Sequence, residues 1–197
     1  MRNFKIIVEY DGAAYCGWQR QQNGVSVQQI LEEAVGRITS GKVTLIGSGR
    51  TDAGVHAMNQ VANFRSPTEL PAEKIFRGVN SVLPPDVVVK ELEEVPLDFH
   101  AQRYVQSKVY VYRIRNQSLR PVLGREYFWF IRYPLDLKKM REAAEHLPGT
   151  HDFSCFCATG TDVKDRVRAL NRIEITSGPE GLIEITVEAK GFLKYMV

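Results

Sequence analysis

The chain has only three cysteines in 197 residues, Cys16, Cys155 and Cys157. That odd number contains no pair of CxxC knuckles, which argues against a disulfide scaffold and a structural zinc site. His151 beside Cys155 and Cys157 offers a loose cluster, but the spacing is not one that holds a metal, and no metal is expected. No apolar run approaches the roughly 20 residues needed to cross a bilayer, and Met1-Arg2-Asn3-Phe4 leads straight into a strand-like segment. The reading is a cytoplasmic protein in a reducing compartment, without membrane segment or signal peptide. The glycines form neither a Walker loop nor a complete dinucleotide fingerprint, so a nucleotide cofactor has no support. Acid is missing from one long stretch. Residues 99–125 hold no Asp or Glu but carry Arg103, Lys108, Arg113, Arg115, Arg120 and Arg125. The formal net charge of +3 says little by itself, whereas this local run is a candidate anion-facing surface.

What is present reads as alternating strands and amphipathic helices. Residues 4–10 alternate, and Asp11-Gly12 ends them. Ser26 and Gln29 have capping-box spacing before Val27, Ile30, Leu31, Ala34, Val35 and Ile38, which make one apolar helix face, and Ser40-Gly41 closes it. Strands are expected at 43–46, 60–64 and 86–92, with a short helix after Pro71 that carries Ile75, Phe76 and Val79 inward. The order is β-α-β-β-α-β, as in ferredoxin-like folds. The pattern then begins again. A strand is expected at 105–114, another at 127–131, a helix from an Asp136 cap through Leu147, and strands at 168–176 and 182–187. The fold class is therefore α+β, with duplicated ferredoxin-like (RRM-like) halves and mainly antiparallel sheets. The halves are 1–96 and 97–197. The second stops within what reads as the start of a helix, so the sequence is expected to be a fragment of a longer product.

The densest chemical signal is Gly47-Ser48-Gly49-Arg50-Thr51-Asp52-Ala53-Gly54-Val55-His56-Ala57. In extended backbone Arg50 and Asp52 share a side, where the cation favours an ionised carboxylate. Glycines let a substrate approach the backbone. The same residues also read as a plain turn with Gly54 at positive φ. Lys108, Tyr110 and Tyr112 alternate onto one strand face inside the basic stretch, an arrangement that suits stacked bases and phosphates. One of these tyrosines reads equally well as a core residue. The loop Tyr15-Cys16-Gly17-Trp18-Gln19-Arg20-Gln21 is rich in amides, and Gln19 and Gln21 are candidates for reading RNA. His100 and His146 have no distinctive spacing.

The segments Tyr10-Asp11-Gly12 through Gln21, residues 47–57, Asn80-Ser81-Val82-Leu83-Pro84, Phe99-His100-Ala101, residues 108–114 and Gly191-Phe192-Leu193 resemble, in order, the motifs of the tRNA pseudouridine synthase A family. The resemblance implies a homodimer that isomerises uridines at positions 38, 39 and 40 of the tRNA anticodon stem-loop without a cofactor. It implies that Asp52 is the catalytic aspartate, that Arg50 helps extrude the nucleotide, and that Tyr110 stacks on the base. Lys108, Arg113, Arg115, Gln19 and Gln21 are the further RNA-contact candidates. Gln102 stands where the family usually has arginine. The family's arginine that pairs with the aspartate would follow Val197. Two rival readings are a non-catalytic RRM-like RNA-binding protein and a metal-dependent hydrolase built on His151 and Cys155.

Overall fold

Alternation decides the first strand: Phe4, Ile6, Val8 and Tyr10 are all buried along β1, Arg2–Tyr10. A computed structural model describes residues 1–160 and 163–197, and it places β1 inside the first of two units, Met1–Val105 and Gln106–Val197. β1 pairs antiparallel with β3, Ala57–Ser66, and with β4, Val87–Val95. The two-residue β2, Ile46–Gly47, adds to β3, giving the sheet order β2-β3-β1-β4. Helices α1, Val27–Thr39, and α2, Ala72–Val82, contribute Leu31, Val35, Ile75 and Val79 to one core with Phe4, Ile6, Phe64 and Trp18. Each such buried side chain contributes about 1.5–3 kcal/mol. Ser26 Oγ caps α1 by accepting from Gln29 N–H at 3.3 Å, and left-handed Ser40 ends it.

The segment 43–46 was expected as a strand, yet only Ile46 of it is in the ladder. Leu45 lies outside the ladder: its N–H and C=O are bonded by side chains of α1 rather than by a neighbouring strand. The division between units also falls later than residue 96. On the sheet face opposite the helices, buried Asn3 donates to the carbonyls of Pro96 and Phe99, and Asn63 Oδ1 accepts from Ala101 N–H. These bonds bind residues 96–101 to the first unit.

In the second unit β5, Lys108–Asn116, pairs antiparallel with β9, Leu182–Ala189. β9 pairs with β8, Val167–Ser177, and β8 with β7, Gly149–Asp152. β6, Trp129–Ile131, runs parallel to β5 on its other side, so the order is β6-β5-β9-β8-β7. The run β5-β9-β8 repeats the adjacency β1-β3-β2 of the first unit. Helix α3, Leu137–Ala144, starts on the Asp136 cap, whose carboxylate accepts from Lys139 N–H at 3.1 Å. It stops short of Leu147, which lies in a turn closed by its N–H on Ala144 O. β7 escaped the sequence reading because its residues are all exposed and show no alternation. Residues 191–197 form a turn, Met196 N–H donating to Leu193 O, where a helix start was expected. Phe153, Leu170, Val187, Ala189 and Leu193 make a second, smaller core. The architecture is α+β with two mostly antiparallel sheets, and among the described residues no helix is long and apolar enough to cross a membrane.

Candidate active site

The glycine-rich segment is held by its backbone and leaves the Arg50 and Asp52 side chains outside. After β2, Ser48 N–H donates to Val61 O at 2.8 Å, and the Gln60 amide donates to Gly49 O at 2.7 Å. Thr51 then turns inward. Its hydroxyl lies 2.8 Å from Tyr10 Oη, and its carbonyl accepts from Trp18 N–H at 3.1 Å. Its neighbours Arg50 and Asp52 are both exposed. Asp52 O accepts from Val55 N–H at 3.2 Å, closing a turn in which Gly54 has φ of 77°. A positive φ at that third position is the mark of a type II turn, so the plain-turn reading and the site reading describe the same residues.

Two loops build this cradle together. A Cβ on Gly12 would stand 2.0 Å from Val55 O, and one on Gly17, which has φ of 98°, would stand 2.5 Å from Thr51 O. Backbone therefore meets backbone, which only glycine permits. Gly54 N–H donates to Tyr15 O at 3.3 Å, and Tyr15 Oη donates to Asp86 Oδ1 at 2.7 Å. Burial, followed by that bond, holds the Tyr15 phenol above the ordinary tyrosine range, so it stays a donor. His56 Nδ1 lies 3.1 Å from Gly12 N and 2.9 Å from Asp11 Oδ1. A neutral ring with hydrogen on Nε2 accepts from Gly12, and a protonated ring donates to Asp11. Either way His56 is tied to the Asp11-Gly12 turn. Among the described residues neither Arg50 nor Asp52 forms an ion pair, so the attraction expected between them is not closed into a salt bridge.

The strand β5 separates the other candidates by face. Lys108, Tyr110 and Tyr112 stand opposite Ala189, Val187 and Ile185 of β9, on the face that carries the second core. Tyr110 is half-buried and packs edge-on against Phe192 at 5.2 Å between ring centres, while Tyr112 is exposed. Burial pushes the Lys108 ammonium below the ordinary lysine range. Arg113 and Arg115 alternate to the opposite face. Arg113 pairs with Glu184 at 2.8 Å, and Arg115 reaches Glu180 at 3.4 Å and lies over the Phe128 ring. Gln19 donates to Gln28 Oε1 on α1 and Gln21 to Cys16 O within its own loop, so both amides already have partners in the chain. His151 Nε2 sits 3.0 Å from Pro148 O, and no group of three His, Cys, Asp or Glu is arranged for a metal among the described residues. Gln28 and Glu32, both buried on α1, were passed over in the sequence because they interrupt the apolar face; their i, i+4 spacing was the available signal.

The sequence profile of the family described as tRNA pseudouridine synthase matches residues 6–104 and 143–197. The tRNA pseudouridine synthase A of Thermoanaerobacter sp. strain X514 is 46% identical over 197 residues, covering all of this chain and 80% of that protein. This chain belongs to the tRNA pseudouridine synthase family. The proteins of the same name from Caldicellulosiruptor bescii and Myxococcus xanthus are each 42% identical, again over the whole of this chain, and it covers 80% and 74% of them. The first matched stretch spans the Asp52 loop, whereas Lys108, Tyr110, Arg113 and Arg115 lie between the two stretches.

Proposed function

We propose that Asp52 is the catalytic carboxylate of a tRNA-uridine isomerase, that Arg50 helps extrude the target nucleotide, and that Tyr110 stacks on the base and assists proton transfer. The observation that carries this reading is an exposed carboxylate on a turn pinned by the backbone bonds of Thr51 O, Asp52 O and Gly54 N–H. As a member of its family the chain converts uridine to pseudouridine in tRNA. We assign its targets to positions 38, 39 and 40 of the anticodon stem-loop. The reaction breaks the bond between N1 and C1′, turns the uracil, joins C5 to C1′ and moves the C5 proton off as N1 takes one up. Atoms are conserved and no electrons enter or leave, so the chemistry requires no cofactor. A carboxylate suits it, either by adding covalently or by stabilising positive charge at C1′. A base stacked in a stem has to leave the stack first, which costs a few kcal/mol. Arg50 on the phosphate side and an aromatic ring on the base offset that cost.

Lys108 is the basic residue that shares the strand face of Tyr110, and it is our preferred phosphate contact on β5. Gln19, Gln21, Arg113 and Arg115 already serve partners within the chain, which weakens their claim to RNA. A pure RNA-binding protein has no use for Asp52, since a carboxylate repels phosphate. Incubation with unmodified tRNA, followed by mapping of pseudouridine, is expected to show conversion at 38, 39 and 40. Bound but unmodified tRNA would establish the binding reading instead.

We also read the two units as duplicated ferredoxin-like halves, supported by the β-α-β-β-α-β order of the first and the repeated strand adjacency in the second. A cytoplasmic setting accords with three free thiols. A homodimer is supported by the exposed Leu119, Val122, Leu123, Trp129 and Tyr133 in and around edge strand β6, an apolar surface of the kind that partners cover. Sedimentation at micromolar concentration is expected to give twice the chain mass; a monomer there would remove the dimer from the proposal.

A further inference from the structure

Helix α1 buries two polar side chains one turn apart, Gln28 and Glu32, 6% and 9% exposed. A buried carboxylate is costly unless each oxygen is satisfied. Here both are. Glu32 Oε1 accepts from Gln28 Nε2 and from Leu45 N–H, each at 3.0 Å, and Oε2 accepts from Arg20 at 3.1 Å. Gln28 is also fully used. Its nitrogen donates to Leu45 O at 2.9 Å as well as to Glu32, and its oxygen accepts from the Gln19 amide at 2.8 Å and Arg20 N–H at 2.9 Å.

The pair thus takes both backbone groups of Leu45, which a neighbouring strand would ordinarily bond. Leu45 is the residue immediately before β2 and the Asp52 loop. The same helix start holds the other side of the cradle, because Gln28 N–H donates to Trp18 O and Val27 N–H to Gly17 O. Trp18 N–H in turn holds Thr51 O, the carbonyl next to Asp52. The segment is therefore held at residue 45 by α1 directly, at residues 46 and 47 by β3, and at residue 51 by Trp18, which is itself bonded to the start of α1.

Stability alone does not account for the choice of residues, since apolar groups of equal volume replace buried ion pairs without loss in many proteins. Placement does account for it: the two polar side chains hold Leu45 by directed bonds to its N–H and C=O, which apolar groups of equal volume do not supply, and Leu45 leads through β2 into the Asp52 loop. We infer that Glu32, with Gln28, is a positioning residue that fixes Leu45 at the entry to the Asp52 loop and so keeps Asp52 facing the substrate. This rests on the reading of Asp52 as the catalytic carboxylate.

The test compares Glu32→Ala, Glu32→Gln and Asp52→Asn in steady-state pseudouridine formation, with hydrogen exchange measured along the chain. Displacement of a reacting group by about an ångström costs about a hundredfold in rate. Glu32→Ala is expected to lower kcat by about that factor with KM changed less than about threefold, and to speed exchange in residues 45–56 while β1 and β3 stay protected. Glu32→Gln keeps an acceptor oxygen for Leu45 N–H and is expected to recover most of the loss. Should Glu32→Ala not fold, Gln28→Met removes the bond to Leu45 O at similar volume and carries the same expectation. Unchanged kcat in the folded variant, or exchange that rises equally across β1 and β3, would overturn the inference. An Asp52→Asn protein with full turnover would sink the Asp52 reading alone, because exchange at 45–56 reports the clamp independently of which residue does the chemistry.

Discussion

Asp52→Asn is expected to lower pseudouridine formation at least about a thousandfold, equivalent to about 4 kcal/mol of transition-state stabilisation, and to leave tRNA affinity equal or tighter. The amide has nearly the shape of the carboxylate but carries no charge and is a far poorer nucleophile. Folding is expected to be unaffected for a reason visible in the loop. The 52–55 turn is closed by the backbone carbonyl of residue 52, Thr51 makes the inward contacts, and Asn is as acceptable as Asp at the first position of a turn. Loss of one negative charge from an exposed site that receives a polyanion favours binding. Single-turnover kinetics, filter binding over the same tRNA concentrations and a denaturant unfolding curve separate these effects. Substantial turnover in the variant would remove Asp52 from the chemistry.

The parts of this fold that were legible in the sequence are those decided within a few residues. Ser26 and Asp136 sit where their side chains reach the third backbone N–H ahead, and both cap their helices. The alternation from Phe4 to Tyr10 gave β1 because one sheet face is buried. What was not legible depends on partners far along the chain. Residues 43–46 look like a strand by composition, but Leu45 is claimed by Gln28 and Glu32, more than a dozen residues earlier, and the ladder starts only at Ile46. Asn3 and Asn63 extend the first unit past residue 96 by bonds that no local pattern announces.

The candidate site follows the same division. Residues 47–57 stood out by composition, whereas the facts that Gly12 and Gly17 press against Val55 and Thr51, and that Arg113 and Arg115 have carboxylate partners on the face away from Tyr110, required the tertiary structure. Charge counted along a strand overstates what is free to bind. A cation already paired across the strand has to give up that partner before it can hold a phosphate.

Tyr110 is where packing and chemistry overlap most, so its two obvious variants are expected to diverge. Tyr110→Phe keeps the ring against Phe192 and opposite Val187, so unfolding midpoint and tRNA affinity are expected to stay close to those of the unsubstituted protein. Turnover is expected to fall about a hundredfold or more, the usual contribution of a positioned proton-transfer group. Tyr110→Ala removes the ring altogether. Stacking on a base is worth about 1–3 kcal/mol, and emptying an aromatic site in a core costs about 3–5 kcal/mol when it is fully buried. Tyr110 is only partly buried, so the packing loss falls below that range, but it falls on a cluster with just five buried apolar members. Total stability of a domain is about 5–15 kcal/mol, which makes such a loss readable as a lower unfolding midpoint of the second unit. Affinity measured below that midpoint then isolates the stacking part. If Phe and Ala weaken tRNA binding to the same small extent, the ring does not stack on the base; if Phe keeps full turnover, the hydroxyl takes no part in proton transfer and Tyr110 is a packing residue of the second core.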